Sequence, residues 1–143
     1  VYNNNKKIGE INMIFHHFCI QTNNYEKSLS FYQDLLGFTI VNETKNFHER
    51  QYNTWLQYED LYIELQTGKQ NQQLASFNKE TEGLTHICFY VEDLQQMQQK
   101  LEKQNVHFLK KQNKAIYYVA GGALFKIKAP EGTIIEFRDS PII

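Results

Sequence analysis

Long apolar runs, abundant cysteine and proline, and a charge excess of either sign are all missing from this chain of 143 residues. No apolar stretch approaches the roughly 18 residues needed to cross a bilayer, so no membrane span is expected. Fifteen Lys and Arg stand against sixteen Asp and Glu, a net charge of −1. That balance gives no field favouring nucleic acid or an anionic membrane surface. Only two cysteines occur, Cys19 and Cys88. A domain of this size needs no disulfide staple, and both are read as reduced thiols of a cytoplasmic protein. The first ten residues are polar and rich in Asn, without the apolar stretch of a secretion signal.

What is present is an ordinary globular composition, 41% apolar and 22% charged, with ten Phe and nine Tyr to fill a core or line a cavity. Met13 stands just before the first apolar strand and is the expected native start. Residues 1–12 are then an N-terminal extension or an expression remnant. Met13–Thr22 reads as a strand. Asn23-Asn24 offers a helix cap, and Tyr25, Leu29, Tyr32 and Leu36 mark one helical face that Gly37 stops. Phe38–Glu43 reads as a strand, and Thr54–Tyr58 with Leu61–Gln66 as a hairpin. A polar linker over 67–83 follows, with a short helix expected near Leu74–Phe77.

The pattern then starts again. Leu84–Val91 is a strand, Asp93 a cap, and Leu94, Met97 and Leu101 a second helical face ending near Asn105. Strands are expected at Val106–Lys110, Ala115–Tyr118, Gly122–Lys128 and Thr133–Arg138, the last after the turn Pro130-Glu131-Gly132. His17-Phe18-Cys19-Ile20 superposes on His86-Ile87-Cys88-Phe89, Asn24 on Asp93, and Tyr62-Ile63-Glu64-Leu65 on Ile134-Ile135-Glu136-Phe137. An internal repeat of this kind implies pseudo-twofold symmetry. The expected architecture is α+β: two tandem βαβββ modules, residues 13–66 and 84–139, with a tail at 140–143. Together they form a curved, cup-shaped mixed sheet with the helices outside.

Strand side chains alternate between faces. Phe18, Ile20, Ile87, Phe89, Ile63, Leu65, Ile135 and Phe137 then pack beneath the helices. His17, Glu64, His86 and Glu136 fall on the opposite, concave face, each in the polar slot of an otherwise apolar strand. An unpaired buried carboxylate costs several kcal/mol, and two would also repel. A divalent cation removes both penalties. Two imidazoles and two carboxylates suit Zn²⁺ or Ni²⁺, and also Co²⁺, Mn²⁺ or Fe²⁺, at one ion per site.

The stretches His17-Phe-Cys-Ile, Asn24-Tyr-Glu-Lys-Ser-Leu-Ser-Phe-Tyr-Gln-Asp-Leu-Leu-Gly-Phe38, Thr85-His86-Ile-Cys and Ala129-Pro-Glu-Gly-Thr-Ile-Ile-Glu136 resemble the vicinal-oxygen-chelate superfamily, over Ile14 to Asp139. The order His, Glu, His, Glu is similar to that of bacterial glyoxalase I. The resemblance implies a metal-dependent lyase or isomerase that moves a proton on a small α-oxo compound or its thiol adduct through a metal-stabilised enediolate. Glu136 is the expected catalytic base, with Glu64 its counterpart. Relatives of glyoxalase I exchange modules between subunits; the linker here permits a site within one chain or across two, and a homodimer is the expected state. Two departures concern thiol recognition: Gln21 replaces the Arg that holds a glutathione carboxylate, and Gly68 replaces an Asn. The alternatives are a drug- or metabolite-sequestering protein of the bleomycin-resistance type, and a fosfomycin-type thiol transferase. The transferase would want cationic residues near the site, and the sequence displays no such cluster.

Gln21, Trp55, Tyr62, Tyr90 and Arg138 are the expected substrate-binding residues. Arg138 is read as meeting an anionic substrate or pairing with Asp139 or Glu64. Cys19 and Cys88 are expected beside the ligands as small floor residues. His16 is expected on the opposite face to His17 in a structural role, His48 in a solvent-facing loop, and His107 at the surface.

Overall fold

The computed structural model describes residue 11 and residues 13–142; most of the proposed extension, residues 1–10 and 12, lies outside them. The element order is β1 (His17–Thr22), α1 (Tyr25–Ser30) continued by a π-helical segment (Phe31–Leu35), β2 (Thr39–Phe47), β3 (Arg50–Tyr58) and β4 (Leu61–Thr67). It resumes with β5 (His86–Tyr90), α2 (Leu94–Glu102), β6 (His107–Leu109), β7 (Tyr117–Val119), β8 (Gly122–Lys128) and β9 (Ile134–Arg138). The strands form two sheets, ordered β1-β4-β3-β2 and β5-β9-β8-β6, with β7 paired to β8. In each sheet the first strand runs parallel to the last, and the others pair antiparallel. Two successive βαβββ units in an α+β fold are what the repeat predicts.

The two helices start alike. The Asn24 side chain accepts from the Lys27 N–H and the Asp93 side chain from the Gln96 N–H, so each cap satisfies a helix donor that has no intrahelical partner. The first helix departs from the expected regular α-helix by widening into π geometry. This brings the adjacent Phe31 and Tyr32 both into the core, which no single α-helical stripe does. Gly37, at φ +83°, then turns the chain back, and the Phe38 N–H returns to the Tyr32 carbonyl.

Ile63, Leu65, Leu56, Ile127, Ile135 and Phe125 are wholly buried and join Tyr32 and Leu101 in one core between the sheets and the helices. The two halves are fastened through Glu131, in the turn before β9. Its carboxylate accepts from the Ser28 hydroxyl and the Tyr32 phenol of the first helix. Burial, and next that carboxylate, push the Tyr32 phenol well above its usual range.

Three expectations fail here. No helix forms near Leu74–Phe77, because the Asn23 amide accepts from the Leu74 N–H and donates to its carbonyl, fixing an extended segment. The strands β2 and β3 run longer than their apolar cores, to a turn at His48 and Glu49, both at positive φ like Asn46 near the end of β2. His16 does not face away from His17; it lies just before β1, where the alternation does not hold. No helix among the described residues is long and apolar enough to cross a membrane.

Candidate metal centre

Parallel pairing of first and last strands places each imidazole near a carboxylate. The Cα of Cys19 pairs with that of Glu64 and Cys88 with Glu136, so both sheets use one register. His17 Nε2 lies 3.5 Å from Glu64 Oε2, and His86 Nε2 lies 2.9 Å from Glu136 Oε2. These are the only contacts within 4 Å between a His, Lys or Arg nitrogen and a carboxylate among the described residues. The other ring nitrogen is also held: His17 Nδ1 lies 2.8 Å from His16 Nδ1, and His86 Nδ1 lies 3.1 Å from the Thr85 hydroxyl. A held Nδ1 fixes the ring and points Nε2 at the carboxylate, so both would turn to the same ion, and a held second nitrogen is the usual arrangement around a metal-binding histidine. Glu136 is the more enclosed carboxylate, its side chain 8% exposed against 20% for Glu64.

Aromatic rings surround the first dyad. Trp55, in register with Glu64 on β3, sets its ring edge-on to His17 at 4.8 Å between centroids. Tyr62 stacks on His16 at 5.8 Å. Gln21 is on the same face and accepts from Arg50, whose guanidinium also donates to the Thr67 carbonyl. Burial, and next the Glu64 carboxylate, push the Cys19 thiol up to about 11. At Gly68 a Cβ would meet the Gln72 carbonyl at 2.6 Å, so the linker backbone closes the position to any side chain.

Charged and phenolic groups surround the second dyad. Lys126, in register with Glu136 on β8, shares its face and stands where the first half has Trp55. Arg138 follows two residues after Glu136 and stands where the first half has Gln66. Its Nη2 donates to the Val119 carbonyl and its buried Nε has no partner. No carboxylate reaches ion-pair distance of Arg138 among the described residues, so neither expected pairing, with Asp139 or Glu64, forms. Tyr90 is half exposed beside Arg138. Burial, and next Glu136, raise the Tyr117 phenol on β7. Burial and Glu136 likewise raise the Cys88 thiol, while Arg138 and Lys126 oppose the rise.

Lys126, Tyr117, Arg50 and His16 also stand near the dyads, and the sequence reading gave none of them a place in the candidate site. Arg50 lies by Gln21 on the first sheet, while Lys126 and Arg138 share the face of Glu136 on the second, so these cations are divided between the sheets. The signal for Lys126 was its polar slot in Phe125-Lys126-Ile127, which gains meaning only once β8 is registered against β9. His48 and His107 are exposed, as expected.

The four candidate ligands are not gathered within one chain. Among the described residues no group of three or more His, Cys, Asp or Glu side chains is close enough to hold a metal ion. The dyads belong to separate sheets whose edge strands β1 and β5 flank a cleft of about 400 Å³. The donor set nevertheless fits a divalent cation, since two imidazoles and two carboxylates carry two negative charges and have their free atoms already paired within each dyad.

A model of the Glyoxalase/Bleomycin resistance protein/Dioxygenase superfamily matches residues 14–137. The chain belongs to that superfamily. Solved structures of the superfamily share its fold. A glyoxalase family protein from Enterococcus faecalis is 21% identical, with a TM-score of 0.76 over 87% of this chain and 96% of that one. A glyoxalase family protein from Bacillus cereus is 15% identical, with a TM-score of 0.73 over 93% and 97%. A fosfomycin resistance protein from Listeria monocytogenes, complexed with Mn(II) and sulfate, is 12% identical, with a TM-score of 0.69 over 92% and 96%. No curated protein matches the chain.

Proposed function

We propose that this superfamily member is a divalent-metal-dependent lyase or isomerase, which moves a proton on a small α-oxo compound or its thiol adduct. One observation carries the reading: the sole contacts within 4 Å between a basic nitrogen and a carboxylate among the described residues are two His–Glu dyads at twin places, in the same parallel register. A sequestering cleft requires no such pairing. His17 and Glu64, with His86 and Glu136, would hold one ion, Zn²⁺ or Ni²⁺ first and Co²⁺, Mn²⁺ or Fe²⁺ after them. Because each sheet contributes one dyad and one chain gathers no more than two such ligands, the proposed active form is a homodimer. In it the first dyad of one copy meets the second dyad of the other. With both cysteines free, a reducing cytoplasm is its proposed setting.

A divalent ion held there would supply Lewis acidity toward neighbouring substrate oxygens. The chain supplies the rest. Glu136, enclosed and next to His86, takes the proton from the carbon beside the carbonyl, and Glu64 faces it as the counterpart acid or base. Trp55 and Tyr62 wall the substrate and exclude water on one side. Gln21, Tyr90 and Arg138 orient its polar ends. Gln21 and the closed position at Gly68 argue against the glutathione contacts of glyoxalase I, so the carrier thiol, if one is used, is held differently.

The test is metal analysis of the purified protein together with hemithioacetal turnover across several thiols. The expected result is one ion per dyad pair and turnover that chelation removes and added metal restores. Protein that binds no divalent ion under any loading would sink the reading.

A further inference from the structure

We infer that the substrate of this centre carries an anionic group, a carboxylate or a phosphoryl-type oxyanion, seated between Lys126 and Arg138. The inference deepens the proposed metal centre and rests on it for the reacting end of the substrate, while the anion seat itself stands on the second sheet alone.

Both side chains lie on the face of Glu136. Lys126 is directly across from it on β8 and Arg138 is two residues further along β9. Lys126 and Glu136 are directly opposed, with Cβ atoms about 5 Å apart, while Lys126 and Arg138 are diagonal neighbours about 7–8 Å apart, a gap an oxyanion can bridge. Both cations are half-buried, and neither has a carboxylate within ion-pair distance among the described residues. The near carboxylate, Glu136, turns to His86 instead. Arg138 has one carbonyl for a partner and an orphaned Nε. Half-buried cations with no carboxylate at ion-pair distance lose hydration without full compensation, so an anion that arrives later is their natural partner.

The scaffold does not require them. The twin slots in the first sheet are Trp55 and Gln66, both neutral, and that sheet has the same register and an equally well-buried core. The charge count agrees. Two glutamates balance one divalent ion, and Lys126 and Arg138 then outnumber the one further carboxylate beside them, Asp139, which is turned to the Ala123 N–H. The Tyr117 phenol beside Glu136 adds a neutral donor to the same wall.

The experiment titrates the metal-free full chain with inorganic phosphate and, separately, with malonate, following backbone amide shifts. Saturable shifts confined to β8 and β9, weakening as salt is raised, are expected. Lys126→Met should raise the apparent Kd about tenfold, and Lys126→Arg should stay within about threefold of the wild type. Lys126→Gln serves if the Met variant does not fold. The tighter of the two probes assigns the class of anion. Equal binding by the Met and Arg variants, or shifts scattered over surface lysines, would overturn the inference. A parallel metal titration separates the two readings. A chain that binds the anion at Lys126 but no metal sinks the metal centre alone. One that binds metal while ignoring Lys126 sinks the anion seat alone.

Discussion

The two halves share a backbone plan and differ in what lines it. Each presents one His–Glu dyad with a cysteine in register with the acid. Around the first dyad the neighbours are Trp55, Tyr62, Gln21 and Gln66, aromatic or amide. Around the second they are Lys126, Arg138, Tyr117 and Tyr90, cationic or phenolic. Symmetry therefore fixes where an ion could be held, and the departures from symmetry decide what else the site grips. A residue that the twin slot replaces with a neutral one is not there to make the sheet.

The largest expected contrast is between the two acids. Glu136→Gln should lower turnover by about 10²- to 10⁴-fold while leaving part of the metal bound. Glu64→Gln should lose metal similarly and turnover less. Steady-state kinetics with metal analysis of both variants reads the difference, and equal losses of turnover would erase the assignment of Glu136 as base. The next contrast should vanish: Ile63 and Ile135 are twin, fully buried residues, and truncating either to Ala should cost about 2–5 kcal/mol in urea unfolding. A loss at one position alone would mean that one half folds without the other's support.

The smallest contrast lies in the thiols of the metal-free protein. With the Cys19 pKa raised from 9.0 to about 11, its thiolate fraction at pH 8 falls to about a hundredth of that of an unshifted thiol. Its alkylation by iodoacetamide should accelerate only as pH climbs toward that value. Cys88 is raised too, but two cations oppose the rise where Cys19 has only Arg50. Cys88 should react first, and a reversed order would contradict the charge difference between the halves.

Much of this was legible in the sequence because a repeat doubles each weak signal. Alternation sends Ile63 and Leu65 inward and Glu64 outward, and the same pattern at Ile135, Glu136 and Phe137 makes coincidence improbable. What was illegible depended on contacts between distant segments. Leu74 looks helical until Asn23 captures its backbone. Trp55 and Lys126 look unrelated until each is set across from its glutamate. His16 was misplaced because the alternation was extended one residue beyond the strand. One His and one Glu per half were readable, but nothing in the residue order reveals whether both halves serve one ion in one chain or across two.

The parallel contact of β1 with β4, and of β5 with β9, wires each acid to its imidazole inside its own half. Folding alone completes that wiring, before any second subunit arrives. In the proposed assembly, association would only bring finished parts face to face. Dilution would then silence the protein without unfolding it: the circular dichroism would hold steady while the rate per subunit dropped.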